Sequence, residues 1–468
     1  MRQIHRLARA VATLAAAGAA GCASYEPKPI LTDEVLRELR AVRLEAVRPA
    51  DVPATATQGA VPARFDPAAG LGPDEAVAVA LALNPDLRAF RKERGVAEGE
   101  LVAAGLLPNP ELGVTWLYLE NFTKGLASGS LDASLSWAPP RPGELDALRA
   151  RARARIEEVR AELASEEWRL AAEARNAYAA VWAAEERLRL VEASLALRER
   201  IRQLFRNKRD AGDASRIDLN LVEVDFADVL RERAVAAGAV ENARFELNRL
   251  LGLPPRYELK LRAAGDPLAF KPFAVDARAL ESLMVARRPD LEAARREYEQ
   301  AEQALRLAYI QRWPWFRFGP AFMRDELEGK VQNRLGLGLG IDLPIVNLNQ
   351  GEIAILEARR ERLREAFIAR VHRARAEVNE ALGRMIVAER LIRTFEESVR
   401  PALDENAALT EAGFRTGDLE LTRLISAQDK VLRARGDFIE AVLDYWRAVH
   451  DLERAIGARL FEAERSKE

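Results

Sequence analysis

The sequence contains few residues able to bind a metal ion: one cysteine, three histidines and four methionines among 468 residues. So few sulfur and imidazole ligands exclude a relay of metal sites along the chain. A nucleophile elbow, a phosphate-binding loop and a catalytic group centred on histidine are also missing. We therefore expect neither an enzyme nor a bound cofactor. The formal net charge of -2 is too close to zero for a nucleic-acid-binding surface.

Long hydrophobic runs are missing as well, and the one short run lies near the N-terminus. Arg2, Arg6 and Arg9 precede or flank an apolar stretch from Ala10 to Ala20. This stretch is shorter than the about 20 residues that span a bilayer, but it matches the hydrophobic region of an export signal. The sequence therefore predicts a signal peptide over residues 1–21.

The single cysteine, Cys22, ends the string AAGC. This string resembles the lipobox of bacterial lipoproteins, although Ala19 stands where leucine is usual. The resemblance implies that Cys22 is the lipid attachment site, carrying palmitate or a similar acyl chain, and the absence of aspartate after it implies the outer membrane. The alternative is a buried thiol near an ordinary cleavage site. Residues 22–72, rich in proline and alanine, are expected to form an N-terminal linker.

Helix-forming residues dominate the rest of the chain. Charged residues make up 31% of the sequence and alternate in sign along stretches rich in Ala, Leu, Arg and Glu. This composition is typical of long helices with a solvated face. The stretch from Glu144 to Asp210 contains no glycine and no proline, so it predicts one helix about 100 Å long. The chain is therefore expected to be mainly α-helical.

The sequence is internally duplicated. The string NPDL, beginning at Asn84, returns as RPDL, beginning at Arg288, at a displacement of 204 residues. Glycines repeat at a displacement of 205 residues, Gly212 with Gly417 and Gly252 with Gly457. Such self-similarity indicates two copies of one structural unit. We predict repeats over residues 73–255 and 277–457, an inter-repeat segment over residues 256–276, and a charged tail over residues 458–468.

Each repeat predicts the same order of elements. A first helix over residues 73–107, or 277–311, ends ahead of a proline. A β-hairpin follows over residues 111–138, or 315–343. The long helix comes next and a return helix completes the repeat. In the second long helix, over residues 350–415, Gly383 and Pro401 predict a bend.

The hairpin segments alternate between apolar residues and small or polar ones. From Arg334 to Asp342 large aliphatic residues alternate with Gly336, Gly338 and Gly340. A period of two predicts a strand with one apolar face and one face almost free of side chains. Strands of about nine residues have the length of tilted transmembrane strands. We predict that lipid contacts the apolar face, which includes Leu131, Leu135, Trp137, Phe316, Phe318, Leu335, Leu337, Leu339 and Ile341.

A soluble sheet shows the same alternation, so the surroundings of the hairpins decide between the two interpretations. Both hairpins lie between very long helices that have no apolar surface to spare for a separate sheet, and the chain is predicted to be exported. Four strands cannot close a barrel, and each unpaired backbone group in hydrocarbon costs several kcal/mol. The sequence therefore predicts an oligomer whose copies share one barrel.

Together these features resemble the TolC family of outer-membrane efflux channels, in its lipoprotein branch. The resemblance extends from about Leu71 to Gly457. Its most specific strings are NPDL and RPDL, LPNPEL before the first hairpin, DLPIVNLNQGEI after the second, and the turns AGD and TGD.

The resemblance implies an architecture and a set of partners. Three copies would form a homotrimer in which four strands per chain complete a 12-stranded barrel in outer-membrane lipid. Twelve packed helices would form a coiled-coil tunnel in the periplasm below it, with the linker and inter-repeat segments at its equator. A periplasmic adaptor protein and an inner-membrane pump would be the partners, and the channel would export small molecules or ions passively.

The resemblance also places the periplasmic mouth of the tunnel at the turns between long and return helices. In the family, the position of Asp218 holds an aspartate that bridges to a neighbouring helix, and Phe414 stands where its tyrosine partner is found. Arg423 and Ser426 stand where TolC itself has gate aspartates, so an acidic gate is not implied. The candidates for gating and for adaptor contact are Gly212, Asp213, Asp218, Phe414, Arg415, Gly417, Asp418, Glu420 and Arg423. The alternative for each charged residue is an ordinary solvated helix turn.

A different class of protein also fits part of the sequence. A lipid-anchored periplasmic coiled-coil scaffold or adaptor, without a pore, would account for the helices and for Cys22. It leaves the four amphipathic strands unexplained.

Overall fold

The computed structural model describes residues 25–44, 70–121, 126–262, 270, 272, 276–327, 330–416 and 420–460. The predicted signal peptide, Cys22 and most of the N-terminal linker lie outside these residues. The chain divides into two units at Arg43 and Leu44. In the first unit helix α1, Thr32–Ala41, has no buried residue.

The second unit is mainly helical and contains four antiparallel strands. Its first repeat comprises α2 (Pro73–Leu83), α3 (Pro85–Gly105), β1 (Glu111–Asn121), β2 (Leu126–Ser136), α4 (Glu144–Asp210) and α5 (Arg216–Leu250). The second repeat comprises α6 (Ala277–Arg287), α7 (Pro289–Gln311), β3 (Trp315–Leu327), β4 (Lys330–Asp342), α8 (Gln350–Thr394), a π-helical turn (Phe395–Val399), α9 (Arg400–Thr416) and α10 (Leu421–Ile456).

The first helix of each repeat is broken into two, so the prediction of one continuous helix is wrong. Asn84 and Arg288, which precede Pro85 and Pro289, have ψ angles of 123° and 116°. A proline ring clashes with the residue before it in the helical conformation and forces that residue to extend. The NPDL and RPDL strings therefore mark a helix boundary, and the Asn84 side chain accepts a hydrogen bond from the Leu87 amide across it at 3.0 Å.

Helix α4 is continuous from Glu144 to Asp210, as the absence of glycine and proline predicts. It packs against α3 and α7 near the sheet and against α5 and α10 farther away. Many of its buried residues are alanine, and small side chains let several helices approach closely. Helix α8 packs against α7 and α10. The lateral order is therefore α3, α4, α7, α8 near the sheet and α5, α4, α10, α8 farther away.

The second long helix is interrupted at one place rather than two. Helix α8 continues through Gly383, so the expected interruption of the helix at this glycine is wrong. The interruption is the π-helical turn Phe395–Val399, directly before Pro401, where the Arg400 amide donates to the Phe395 carbonyl. Proline has no amide hydrogen and clashes with the preceding helical turn, and widening the helix relieves this conflict.

Each repeat contains the same close backbone contact, made by a glycine that follows its return helix. Gly252 has a φ of +68° and Gly457 a φ of +66°. A Cβ atom on Gly252 would lie 2.6 Å from the Leu83 carbonyl oxygen, and one on Gly457 would lie 2.7 Å from the Arg287 carbonyl oxygen. Only glycine fits both the left-handed conformation and the close approach. Each return helix thus ends against the break between the first two helices of its own repeat.

A buried polar network joins α2, α4 and α10 with the segment after Gly457. Arg175 and Arg459 contact Asp74 at 3.2 and 2.9 Å, and Arg459 also contacts Glu453 at 3.2 Å. His450 is buried beside them, with Nδ1 2.8 Å from the Asn176 side-chain oxygen. In the nearby inter-repeat segment Leu261 forms a single parallel bridge with Leu71.

Candidate functional site

The four strands form one sheet in the order β1-β2-β3-β4, with all neighbours antiparallel. The four predicted strands are confirmed, and they are 11 and 13 residues long in the two hairpins. Gly319 allows β2 and β3 to approach, because a Cβ there would collide with the Leu135 carbonyl. Phe318 and Trp137 continue the pairing beyond this point with two backbone hydrogen bonds of 2.9 and 3.0 Å.

One face of this sheet is apolar across all four strands. Leu112 lies opposite Leu135, Phe318 opposite Leu339, and Phe322 opposite Leu335. Within the described part of the chain no helix covers this face: Trp116 is 77% exposed, Leu335 83% and Leu337 87%. Arg324, opposite Leu131, ends the apolar band near the hairpin turns. Leaving so much contiguous apolar surface in water is unfavourable, so this face needs an apolar environment.

The opposite face of the sheet carries mainly glycine, serine and charged side chains, together with Leu117 and Met323. Gly336 has open space where a side chain would begin, and a Cβ on Gly338 would make one ordinary contact, with the Gly319 carbonyl oxygen at 3.7 Å. The Arg317 side chain instead lies across Gly340. From there Arg317 reaches Asp342 at 2.9 Å, and Arg334 lies 3.7 Å from Asp325 farther along the sheet. This face can line a space filled with water.

Both edges of the sheet are unpaired. Within the described residues β1 pairs only with β2, and β4 only with β3. The edge strand β1 follows α3, and β4 leads into α8, so the outer strands and the outer helices lie on the same two sides. Open strand edges tend to pair with further strands.

The far end of the helices contains the predicted mouth residues. Gly212, with a φ of +85°, ends α4, and the next amide, of Asp213, donates to the Lys208 carbonyl at 2.8 Å. Asp213, Glu420 and Arg423 are exposed. Gly417 and Asp418 lie outside the described residues, as do the side chains of Phe414 and Arg415.

Asp218 caps its own helix in the single chain. Its amide donates to the Ser215 hydroxyl at 3.0 Å, and its carboxylate accepts from the Ser215 amide at 3.2 Å. This reciprocal pair satisfies amides at the start of α5 that have no partner within the helix. The contacts of Asp218 among the described residues are therefore local, and the bridge to a neighbouring helix stays a prediction.

Helices α4, α5 and α10 meet near this end through an apolar cluster and a buried arginine. The cluster contains Ile201, Phe205, Val222, Leu421 and Leu424. Arg198 is 1% exposed and contacts Asp225 of α5 at 2.8 Å and Asp429 of α10 at 2.6 Å, and it also donates to Gln428. Burial raises the pKa of the Asp225 carboxyl, although Arg198 opposes this.

Sequence reasoning missed Arg198, although a signal exists. Val191, Arg198 and Phe205 are spaced by seven residues, so the arginine stands on the buried stripe of α4. A charged residue at a core position of a helix indicates a buried partner. Its partners are distant in sequence, and helical periodicity does not identify them.

Comparison with known proteins agrees with this geometry. The model of the family described as outer membrane efflux protein matches residues 76–253 and 280–458. The chain belongs to the outer membrane efflux protein family. The two matched stretches correspond to the two repeats, and members of this family are channels.

Individual members of the outer membrane efflux protein family show the same relationship. The cobalt-zinc-cadmium resistance protein CzcC of Cupriavidus metallidurans is 22% identical over 82% of this chain and 89% of its own. The CmeC outer membrane channel of Campylobacter jejuni superimposes with a TM-score of 0.70 at 12% identity, covering 95% of this chain and 97% of its own. The MtrE outer membrane channel of Neisseria gonorrhoeae, solved in its open state, gives a TM-score of 0.66 at 20% identity, with coverages of 82% and 89%.

The described residues include neither a helix suited to cross a membrane nor a cluster of metal ligands. None of the helices there combines the length and the apolar character needed to cross a membrane. In the same part of the chain no group of three or more His, Cys, Asp or Glu side chains is placed to hold a metal ion.

Proposed function

We propose that three copies of this chain form an outer-membrane channel whose strands close into one barrel. The channel exports small molecules or ions from the periplasm without acting on them chemically. The observation that carries the proposal is the uncovered apolar face of a sheet whose two edges are both unpaired. Lipid satisfies the face, and only closure of the sheet on itself satisfies the edges. Twelve strands, four from each copy, form a barrel within the range known for outer-membrane proteins.

The two sides of the chain support a ring in which each copy contacts the next one head to tail. In such a ring β1 of one copy pairs with β4 of its neighbour, and the same rotation brings α3 and α5 against α8 and α9 of that neighbour. This contact joins two different surfaces and closes when the rotation returns to its starting point.

Exposed apolar residues on the outer helices support the same contact. Helix α5 exposes Ile217, Val224 and Val235, and α3 exposes Val102. On the opposite side, the exposed apolar residues are Ile355, Ile368, Val387 and Leu391 of α8 and Leu409 of α9. Burial of these residues in a ring would stabilise it by about 25 cal/mol per Å² of apolar surface removed from water.

The proposed trimer places the helical tunnel in the periplasm and its mouth at the turns after α4 and α9. There a periplasmic adaptor protein and an inner-membrane pump would deliver the cargo, and the pump would supply the free energy. Nine residues of these turns are the candidates for gating and adaptor contact: Gly212, Asp213, Asp218, Phe414, Arg415, Gly417, Asp418, Glu420 and Arg423. Lipid attached to Cys22 would anchor the chain to the same membrane.

The test is to purify the full chain from outer membranes in detergent and to add it to planar lipid bilayers. We expect an oligomer that dissociates only on heating during electrophoresis, and stepwise conductance increases as single channels insert. A water-soluble monomer without conductance would instead favour the lipid-anchored scaffold.

A further inference from the structure

Near the proposed mouth, helix α10 has two faces of different chemistry. One face packs against α4 and α5 through Leu421 and Leu424 and reaches Arg198 through Gln428 and Asp429. The other face is exposed and carries Arg423, Ser426, Lys430 and Arg433. These four residues follow helical steps of three and four, so they form one line along the helix. We call Arg423, Lys430 and Arg433 the cationic stripe; it is about 15 Å long.

Two carboxylates close to the cationic stripe form ion pairs with arginines outside it. Asp429 contacts Arg198, and Asp404 of α9 contacts Arg435 at 3.0 Å. Across the part of the chain that the structure describes, no carboxylate lies within ion-pair distance of the three cations of the stripe. Along the described part of α10, Glu420 precedes the stripe and Asp437 follows it.

A groove between α9 and α10 lies beside two of these cations. Its volume is about 430 Å³, and its polar lining consists of Asn406, Thr410, Thr422, Arg423, Ser426 and Lys430. Among the described residues, no carboxylate belongs to this lining. The Asn406 amide and the Thr410 hydroxyl already donate to carbonyls of α9, at 2.8 and 2.5 Å. Arg423 and Lys430, with the hydroxyls of Thr422 and Ser426 and the second N–H of Asn406, are therefore the donors that the groove offers to a ligand.

We propose that this groove and the cationic stripe bind anionic groups, carboxylate or phosphate, and give the mouth a preference for negatively charged solutes. The inference rests on the proposed function, because three copies around one axis bring nine cations to a single entrance. A ring of one sign of charge raises the local concentration of ions of the opposite sign and speeds their entry. Guanidinium and ammonium groups form charge-assisted hydrogen bonds with such anions.

The test compares the block of single-channel conductance by a trivalent anion and a trivalent cation. Hexacyanoferrate(III) and hexaamminecobalt(III) are added in turn to the periplasmic side of the full-length channel, at a KCl concentration of about 0.1 M so that screening is limited. We expect hexacyanoferrate to block at the lower concentration, and the reversal potential in a KCl gradient to show preference for chloride.

Matched variants assign the effect to the groove. Arg423→Gln combined with Lys430→Gln should weaken block by hexacyanoferrate by about tenfold or more, which is about 1.4 kcal/mol of binding free energy. The control combines Arg256→Gln with Lys260→Gln, which removes the same charges from exposed positions of the inter-repeat segment, and should leave the block unchanged. Stronger block by the cobalt complex, or equal block in both doubles, would overturn the inference. Absence of any conductance would instead count against the proposed channel.

Discussion

The glycine after each return helix makes the same backbone contact in both repeats, but the side chains next to that contact differ. Gly252 and Gly457 approach the carbonyls of Leu83 and Arg287 in the same way. The side chain that reinforces the contact differs: the Asn84 amide donates to the Leu250 carbonyl at 3.0 Å, and Arg288 donates to the Ala455 carbonyl at 3.2 Å. The backbone contact is therefore the shared feature, and side chains of different chemistry support it.

Replacing Gly457 with alanine should destabilise the fold by roughly 1–3 kcal/mol, because the new Cβ atom meets a carbonyl and the residue keeps a positive φ. The matched control is Gly383→Ala, in the interior of α8, where no atom lies within 4 Å of the new Cβ. That change should stabilise the helix by about 0.5–1 kcal/mol. Thermal unfolding of the detergent-solubilised protein measures both, and a neutral Gly457→Ala would contradict the close contact.

The stability of the protein should fall on acidification because His450 is buried as a neutral group. Burial, together with the positive charges of Arg175 and Arg459, holds the pKa of His450 well below its ordinary value. Below about pH 6.5 the histidine of the unfolded chain binds a proton, whereas His450 of the folded chain stays neutral. The contribution of neutral His450 to the free energy of unfolding is complete above about pH 6.5. It is lost as the pH falls below this value, by at most about 1.4 kcal/mol per pH unit.

The comparison of wild type with His450→Asn between pH 7 and pH 5 isolates this effect. Glu453, whose pKa burial raises, acts in the opposite direction but is present in both proteins. We expect the unfolding temperature of the wild type to decline more steeply with acidification than that of the variant. Parallel declines would show that His450 accepts a proton in the folded state.

Strand β4 is the element best suited to test the two faces of the sheet separately, because its leucines and glycines alternate between them. Leu337→Arg would place a charge on the apolar face and should cost about 2–4 kcal/mol in a bilayer. At the neighbouring position, Gly338→Arg has room, because the nearest atom to its new Cβ is the Gly319 carbonyl oxygen at 3.7 Å.

We expect Leu337→Arg to reduce the amount of heat-dissociable oligomer in outer membranes, and Gly338→Arg to insert normally while lowering the conductance. Equal and mild effects of the two substitutions would contradict the assignment of lipid to the leucine face.

The elements that the sequence predicted well are those with a strict local pattern. The limits of α4 follow from the absence of glycine and proline, and the strands follow from an alternation that continues over many residues. The errors occur where one residue outweighs the pattern around it. Pro85 and Pro289 divide helices that periodicity joins, whereas Gly383 is tolerated because its helix is stabilised by packing on both sides of it.

For the whole molecule, the duplication predicted the order of elements but not their partners. Arg198 contacts Asp225 and Asp429, and Asp74 contacts Arg175 and Arg459. These pairs join residues up to several hundred positions apart. The local sequence can mark a buried position, as it does for Arg198, but it does not identify the partner. Only the lateral order of the helices brings them together, so the tip of the helices was the least predictable part of the candidate site.

The π-helical turn before Pro401 belongs to the second repeat, and α4, its counterpart in the first, is α-helical throughout. In the proposed trimer six helical hairpins surround the axis, and interrupted ones alternate with uninterrupted ones. The tunnel wall thus contains two kinds of helical hairpin, so its symmetry is threefold although the sequence repeat would allow sixfold. If the mouth widens, we expect the interrupted hairpins to move and the uninterrupted ones to stay in place.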